Sequence, residues 1–246
     1  MYIDRRILYI ILGLFILSNV IGLLTDTNAL LSLLLSLPAV LVAITFHEFA
    51  HGIAADKLGD DTPRRQGRLN LNPLSHLDPI GTVMLIFAGF GWGKPVEIEP
   101  RNFNRNIKMS VAEAIVAAAG PIMNFILAIV FGVIYAVLWK FAPDFIATQI
   151  GSIVVILIRS CVLVNIGLGI FNLVPLPPLD GSKIISGFLP YNIRNWFENY
   201  YNIFYAIFVV IWVTGIASMI ISPLISVAYK GIMGLMAKIF SIYMII

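Results

Sequence analysis

The sequence has few charged residues and only one cysteine. Of its 246 residues 12% are charged and 59% are hydrophobic, whereas about 25% of the residues of a typical soluble domain are charged. This shortage of charge excludes an ordinary water-soluble globular protein. The single cysteine, Cys161, excludes an intrachain disulfide framework and a cysteine-rich metal site. The sequence also lacks a polar stretch long enough to fold as an appended domain, so we expect a single integral-membrane domain over residues 1–246.

Several apolar runs are long enough to cross a bilayer, because about 20 apolar residues suffice for a transmembrane helix. We predict an all-α polytopic membrane protein with about five to six transmembrane helices. A shorter piece, "PIGTVMLIFAGFGWGKP", predicts a re-entrant or β-hairpin segment near residues 79–100, packed on protein rather than on lipid. The predicted spans are 7–24, 30–55, 111–140, 150–174, 201–221 and 224–246, of which the last either crosses or lies partly at the interface.

Half of the basic residues are concentrated in one segment. Eight of the sixteen Lys and Arg residues lie between positions 56 and 110. A nucleic-acid partner could use such a cluster, but its position between long apolar runs favours the positive-inside rule. We therefore expect a multi-pass protein of the cell membrane with this segment on the cytoplasmic side, and no nucleic-acid partner.

The stretch "FHEFAHG" places three ionisable side chains at the end of an apolar run. A charged side chain in hydrocarbon costs at least about 2.5–3.5 kcal/mol, so it needs a compensating partner or a function. His47 and His51 are four residues apart and therefore share one face of a helix, where they can bind one metal ion. Glu48, beside a ligand, can reach a water molecule. This spacing is the H-E-x-x-H arrangement of zinc peptidases.

Two histidines leave such a site incomplete, because a catalytic zinc ion usually has three protein ligands. The candidates are His76, Glu113 and Asp180. We favour Asp180, because the predicted fourth span ends at the same depth as His47 and prolines in "NLVPLPPLDG" stop the helix. Considered by spacing alone, Asp180 fits an ordinary Asp-Gly turn equally well.

The motifs "HEFAH", "AAGPIMN" and "NLVPLPPLDG" occur in the order that resembles the site-2 protease family of intramembrane zinc metallopeptidases. The resemblance covers a core of about residues 30–181 and is closest to a minimal bacterial or archaeal type without accessory domains. It implies that His47, His51 and Asp180 are ligands of one zinc ion and that Glu48 is the general base.

The resemblance also implies that Asn124 and Asn172 contact the substrate. Without it, Asn124 reads as a residue that hydrogen-bonds between helices. The expected activity is zinc-dependent endopeptidase cleavage within or near transmembrane segments of a membrane protein or peptide, at a site toward the cytoplasm. The glycine-rich piece around 89–96 could pair with an unwound substrate strand, and a membrane partner could supply regulation. The alternative function is a divalent-metal membrane transporter, which leaves Glu48 unexplained.

Overall fold

The computed structural model describes residues 25–82 and 93–242, together with Gly13, Leu17, Ser18, Ile21 and Gly22. Within these residues every extended regular element is a helix, and one antiparallel β-bridge joins Leu77 to Gly93. The helices are α1 Thr27–Lys57, α2 Thr62–Arg65, α3 Pro73–His76, α4 Met109–Phe141, α5 Pro143–Ile146, α6 Gln149–Asn172, α7 Asp180–Phe188, α8 Tyr191–Asn199, α9 Tyr201–Val213 and α10 Ile216–Phe240, with a 3₁₀ turn at Pro100–Asn102.

Four of these helices are long and apolar enough to cross a membrane: α1, from Leu30 onward, α4, α6 and α10. Helix α9 is apolar but shorter. The prediction of an all-α polytopic membrane protein is confirmed. The predicted first span, 7–24, lies almost entirely outside the described residues.

The predicted boundary between the last two spans is wrong. The apolar sequence from 201 to 246 divides at Gly215, which has a φ of +76°, a left-handed conformation that glycine adopts without steric cost. Helix α9 therefore ends at Val213, and α10 begins at Ile216 and continues through Pro223. Proline is tolerated inside a transmembrane helix because neighbouring groups satisfy the backbone that it frees.

The two ends of the predicted re-entrant segment lie side by side. Residues 79–82 are helical, and the Asp78 carboxylate accepts a hydrogen bond from the Gly81 N–H at 2.7 Å. At the other end, the Lys94 N–H donates to the His76 carbonyl at 2.8 Å. The segment thus starts as a helix and returns beside its own beginning, while 83–92 lie outside the described residues.

Helices α1, α4 and α6 form the central bundle. Helix α4 runs antiparallel to α1, because His47 contacts Asn124 whereas His51, one turn later, contacts Val116. Small buried side chains let the helix backbones approach closely, as in other membrane helix pairs. On α1 these are Ala39, Ala43, Ala50 and Ala55, and on α4 they include Ala112, Ala114, Ala117 and Ala128.

Helix α10 packs against α4 and α6. A buried cluster joins the three helices through Ala128, Tyr135, Val162, Ile166, Tyr229 and Met233. Gly167 lies beside Ile225, and the Arg159 guanidinium lies 5.7 Å from the centre of the Tyr229 ring. These two contacts make α10 antiparallel to α6. The Tyr229 ring also provides a cation–π partner for the arginine within the span.

Candidate metal centre

The two histidines of the H-E-x-x-H stretch lie on one buried face of α1. His47 and His51 are 6% and 7% exposed, and their Nε2 atoms are 3.1 Å apart. Both side chains point toward α4, as the four-residue spacing on a helix requires. The pairing predicted from spacing is thus present in the folded chain.

Asp180 reaches the same point from a different part of the chain. After α6 ends at Asn172, an irregular turn leads to Asp180, the first residue of α7. The turn is tight, because a Cβ atom at Gly181 would overlap the carbonyl oxygens of Leu173 and Val174. The Asp180 Oδ2 atom lies 3.1 Å from His47 Nε2 and 3.2 Å from His51 Nε2.

His47, His51 and Asp180 form the one group of three potential metal ligands in the part of the chain that the structure describes. Neither Glu113 nor His76 belongs to it. His76 is fully buried, and its Nε2 atom lies 2.8 Å from the Asn70 carbonyl. Of the three candidates for the third ligand, Asp180 alone joins the two histidines.

The protonation of the two imidazoles fits a metal site. His47 Nδ1 faces the Asn124 Oδ1 atom and His51 Nδ1 faces the Val116 carbonyl, each at 2.7 Å. Both partners are acceptors, so each Nδ1 carries the proton and each Nε2 presents a lone pair, the arrangement usual for metal-binding histidines. The Asp180 Oδ2 atom is buried without a hydrogen-bond partner, although it is within ion-pair distance of both rings. With both rings neutral, three acceptors converge at one point, and a cation satisfies all three.

The spacing of these three atoms suits a zinc ion. Ligand atoms about 2.0–2.2 Å from a tetrahedral zinc ion lie about 3.3–3.6 Å from one another. The observed separations, 3.1, 3.1 and 3.2 Å, are only a few tenths of an ångström shorter. Nitrogen and carboxylate oxygen are also donors that zinc accepts. The residues therefore fit a single zinc ion.

Gly120 of α4 gives the two rings their space. A Cβ atom at this position would lie 2.5 Å from His51 Nε2 and 2.7 Å from His47 Nε2, closer than non-bonded atoms approach. Any side chain here would displace the ligand atoms. The next residue, Pro121, is fully buried and lacks an N–H, so one backbone hydrogen bond of α4 is missing beside the site.

Glu48 is held by a segment that follows the re-entrant piece. The Val96 N–H donates to Glu48 Oε2 at 2.9 Å. The segment 94–99 is itself fixed at both ends, because the Lys94 carbonyl accepts from the buried Arg68 guanidinium and the Glu99 N–H donates to Asp60 Oδ2 at 2.7 Å. One carboxylate oxygen of Glu48 is thus oriented by the backbone of an anchored segment.

The two asparagines predicted to contact substrate occupy different surroundings. Asn124 is fully buried behind His47, and its Nδ2 group donates to the Ala43 carbonyl at 3.1 Å and to Asn165 Oδ1 at 3.0 Å. These contacts favour the alternative interpretation, in which Asn124 hydrogen-bonds between helices. Asn172 is partly buried, and its Nδ2 group donates to the Leu168 carbonyl of its own helix at 3.1 Å. Substrate contact by Asn172 stays a prediction.

Three groups near the site were not identified from the sequence: the backbone N–H of Val96, the side chain of Asn165 and the absent side chain of Gly120. Asn165 is the single strongly polar residue in "VLVNIGLG", and a polar residue within an apolar span is a signal for an interhelical hydrogen bond. Gly120 lies in the quoted motif "AAGPIMN", but its role depends on contacts with another helix.

Comparisons with known proteins place the chain in a family. YwhC of Bacillus subtilis (strain 168), named as a candidate zinc metalloprotease, is 36% identical over 204 residues, which are 82% of this chain and 90% of that protein. The chain belongs to peptidase family M50, the site-2 proteases. The family model described as "Peptidase family M50" matches residues 142–215, the region that contains Asp180.

A second relative is more distant. Rip2 of Mycolicibacterium smegmatis, likewise named as a candidate zinc metalloprotease, is 29% identical over 155 residues, which are 61% of this chain and 55% of that protein. No solved structure matches the chain. Membership of family M50 makes the chain a zinc metalloprotease of the membrane, in agreement with the His/His/Asp group at its centre.

Proposed function

We propose that the chain is a zinc-dependent endopeptidase that hydrolyses peptide bonds within or near transmembrane segments of membrane proteins. His47, His51 and Asp180 hold its zinc ion and Glu48 is the general base, within a single membrane domain whose catalytic core is about residues 30–181. One observation carries the assignment of roles. Three potential metal-ligand atoms from two distant parts of the chain meet at one buried point, beside the helical turn that contains Glu48. A zinc ion bound there would polarise a substrate carbonyl and make a neighbouring water molecule more acidic.

Glu48 transfers the proton. Its Oε2 atom is held by the Val96 N–H, so its Oε1 atom is left to take a proton from the attacking water. The same carboxyl group then gives this proton to the amine of the departing peptide. General acid–base catalysis of this kind contributes about 10²–10⁴-fold to a rate.

The substrate must present an extended peptide, because a helix hides its peptide bonds. In the segment 94–99, the N–H groups of Lys94 and Val96 point inward, to His76 and Glu48. Backbone groups alternate in direction along an extended chain, so the Pro95 carbonyl and the N–H and carbonyl of Glu97 face the opposite edge; proline itself has no N–H. This edge supports the addition of an unwound substrate strand close to Glu48.

The basic segment supports a cytoplasmic location for the site. It follows α1 directly after the two histidines, and Arg64 forms an ion pair with Asp56 at 2.6 Å at the end of that helix. Basic residues between spans favour the cytoplasmic side. The protein thus lies in the cell membrane as a multi-pass protein that cleaves its substrate near the cytoplasmic face, and a second membrane protein could regulate it.

The metal-transporter alternative gains no support. A transport route requires successive ligand sets across the bilayer, whereas the described residues contain one set. Membership of a peptidase family also explains Glu48, which the transporter hypothesis does not.

The test is cleavage of single-span proteins in proteoliposomes. We expect Glu48→Gln to lower cleavage by about 10²–10⁴-fold while the protein retains one zinc ion, and a zinc chelator to stop the wild-type reaction. His47→Ala and Asp180→Ala should lose the metal itself. Glu198→Gln, a substitution of the same kind at an exposed glutamate paired with Arg194, is the matched control and should cleave normally. Undiminished cleavage by Glu48→Gln would refute the role of this residue, and zinc flux through the wild-type protein without cleavage would favour transport.

A further inference from the structure

The two histidines are kept in their metal-binding tautomers by different kinds of acceptor. His51 Nδ1 faces a backbone carbonyl, that of Val116, which can only accept a hydrogen bond. His47 Nδ1 faces the side-chain amide of Asn124. An amide has an acceptor at one end and a donor at the other, so its orientation matters. If the amide turned over, its NH₂ group would face Nδ1 and the His47 proton would move to Nε2, the atom that must bind the metal.

The orientation of the Asn124 amide is set by two acceptors behind it. Its Nδ2 group donates to the Ala43 carbonyl and to Asn165 Oδ1. With the amide reversed, its own oxygen would face both of these oxygens in a fully buried position. The Ala43 carbonyl belongs to the backbone of α1, whereas Asn165 is a side chain of α6 and can be changed.

Asn165 is in turn fixed by its own helix. Its Nδ2 group donates to the Cys161 carbonyl at 2.8 Å, which directs its Oδ1 atom at Asn124. Both asparagines are 0% exposed, so water does not compete for these groups, and hydrogen bonds are stronger in such surroundings. The chain of donors therefore has one direction, from His47 through Asn124 and Asn165 to the α6 backbone.

We propose that Asn165 is a positioning residue of the metal centre: it orients the Asn124 amide and thereby keeps His47 in the tautomer that can bind zinc. This inference rests on the proposed zinc site and adds to it a residue that contacts neither the metal nor the substrate. Outer-shell partners of metal-bound histidines typically contribute about 10–100-fold to metal affinity.

The first test is the zinc affinity of Asn165→Leu, measured by competition with a chelator in detergent or nanodiscs. We expect a loss of about 10–100-fold. The matched control is Ile166→Ala, which removes packing at the neighbouring, fully buried residue of α6. Ile166 faces the cluster with Met233, away from the site, so its substitution should lower stability without changing zinc affinity.

The second test combines Asn165→Leu with Asn124→Asp. A carboxylate offers an oxygen to His47 in either orientation, so it needs no orienting partner. The second carboxylate oxygen then faces the Ala43 carbonyl and Asn165 Oδ1, so Asn165→Leu removes an unfavourable contact and should not lower zinc affinity in the Asn124→Asp background, against the roughly 10–100-fold loss expected in the wild type. A role of Asn165 in packing alone would give the same loss in both backgrounds.

Histidine ¹⁵N chemical shifts of the metal-free protein read the tautomer directly. The Asp180 carboxylate lies 3.1 Å from His47 Nε2 and would itself draw a proton to that atom in the absence of zinc, so the shifts are compared in an Asp180→Ala background. With Asn165 present, His47 should be protonated at Nδ1, and with Asn165→Leu a population should be protonated at Nε2. If Asn165→Leu does not fold, Asn165→Ala replaces it in each measurement. Wild-type zinc affinity and an unchanged His47 tautomer in the variant would overturn this inference and leave the proposed function intact. A wild-type protein that holds no zinc would instead overturn the proposed function.

Discussion

His47 and His51 are supported from behind by groups inside helices, whereas Glu48, between them in sequence, is held by an irregular segment. The Asn124 amide and the Val116 carbonyl both belong to α4. The donor to Glu48 is the backbone N–H of Val96, in a segment without regular secondary structure. The two histidines proposed as metal ligands are thus supported within the helical bundle, and the proposed base depends on a segment that is attached to the bundle.

This difference means that metal binding and proton transfer can be disturbed separately. Substitutions in α4 should affect zinc first and cleavage as a consequence. Substitutions that alter the segment 94–99 should lower cleavage while zinc stays bound. The predictions that follow test this separation at three positions.

Gly120→Ala should have the largest effect, on the metal side. The added Cβ would lie 2.5–2.7 Å from ring atoms of both histidines, so the Nε2 atoms must move apart. We expect a zinc affinity reduced by more than the roughly 10–100-fold typical of outer-shell changes, and cleavage lost with it. Zinc content by atomic emission is the measurement. Gly231→Ala, where an added Cβ meets nothing within 4 Å, is the control, and equal zinc content in the two variants would contradict the prediction.

Val96→Pro should have the next largest effect, on the base side. Proline lacks the N–H that Glu48 accepts, and a hydrogen bond to a charged group contributes about 1.5–3 kcal/mol. We expect cleavage to fall by about 10–100-fold with zinc content unchanged. Val96→Ala keeps the N–H but removes more of the buried side chain, so it separates packing from hydrogen bonding. If Val96→Pro and Val96→Ala lower cleavage equally, the loss is due to packing and the hydrogen bond to Glu48 does not contribute to cleavage.

Asp60→Asn should have the smallest effect on cleavage and a measurable one on stability. The buried Asp60 carboxylate accepts hydrogen bonds from Thr62, Asn102 and the Glu99 N–H, and the asparagine NH₂ would face one of these donors. We expect a loss of about 1–3 kcal/mol in the free energy of unfolding at neutral pH.

The pH dependence of this loss follows from the same contacts. Burial alone would raise the pKa of Asp60, but the hydrogen bonds from Thr62, Asn102 and Glu99 outweigh it and hold the pKa below its usual value. The carboxylate therefore stabilises the fold fully above the unfolded pKa of about 3.9 and progressively less as the pH falls through the lower folded value. Unfolding of the metal-free wild type and Asp60→Asn should differ at pH 7 and converge in acid. A difference that grows in acid would exclude this account.

The proximity of His47, His51 and Asp180 could be predicted from the sequence, because the rules that bring them together act over short distances or through topology. Helical spacing brings His47 and His51 to one face. The number of predicted spans between the two histidines and Asp180 places all three residues at a similar depth in the membrane. The apolar runs alone predict the helices of the bundle, except that the boundary between the last two helices lies at Gly215 and not between residues 221 and 224.

The supporting contacts could not be predicted, because each depends on how two helices or segments meet. The polarity of Asn165 within an apolar span indicates an interhelical hydrogen bond, but nothing in the sequence indicates that its partner is Asn124. The donor at Val96 is a backbone group, which every residue but proline carries. The family resemblance implies substrate contact for Asn124, whereas its burial behind His47 depends on how α4 packs against α1.

The separation of the ligands along the chain has one more consequence. Two ligands lie in α1 and the third lies beyond α6, so a bound ion would close a long loop of polypeptide as a cross-link does. An ion that binds only the folded form stabilises that form by mass action. Zinc would therefore stabilise the central bundle as well as take part in catalysis, and the metal-free protein should unfold at a lower temperature.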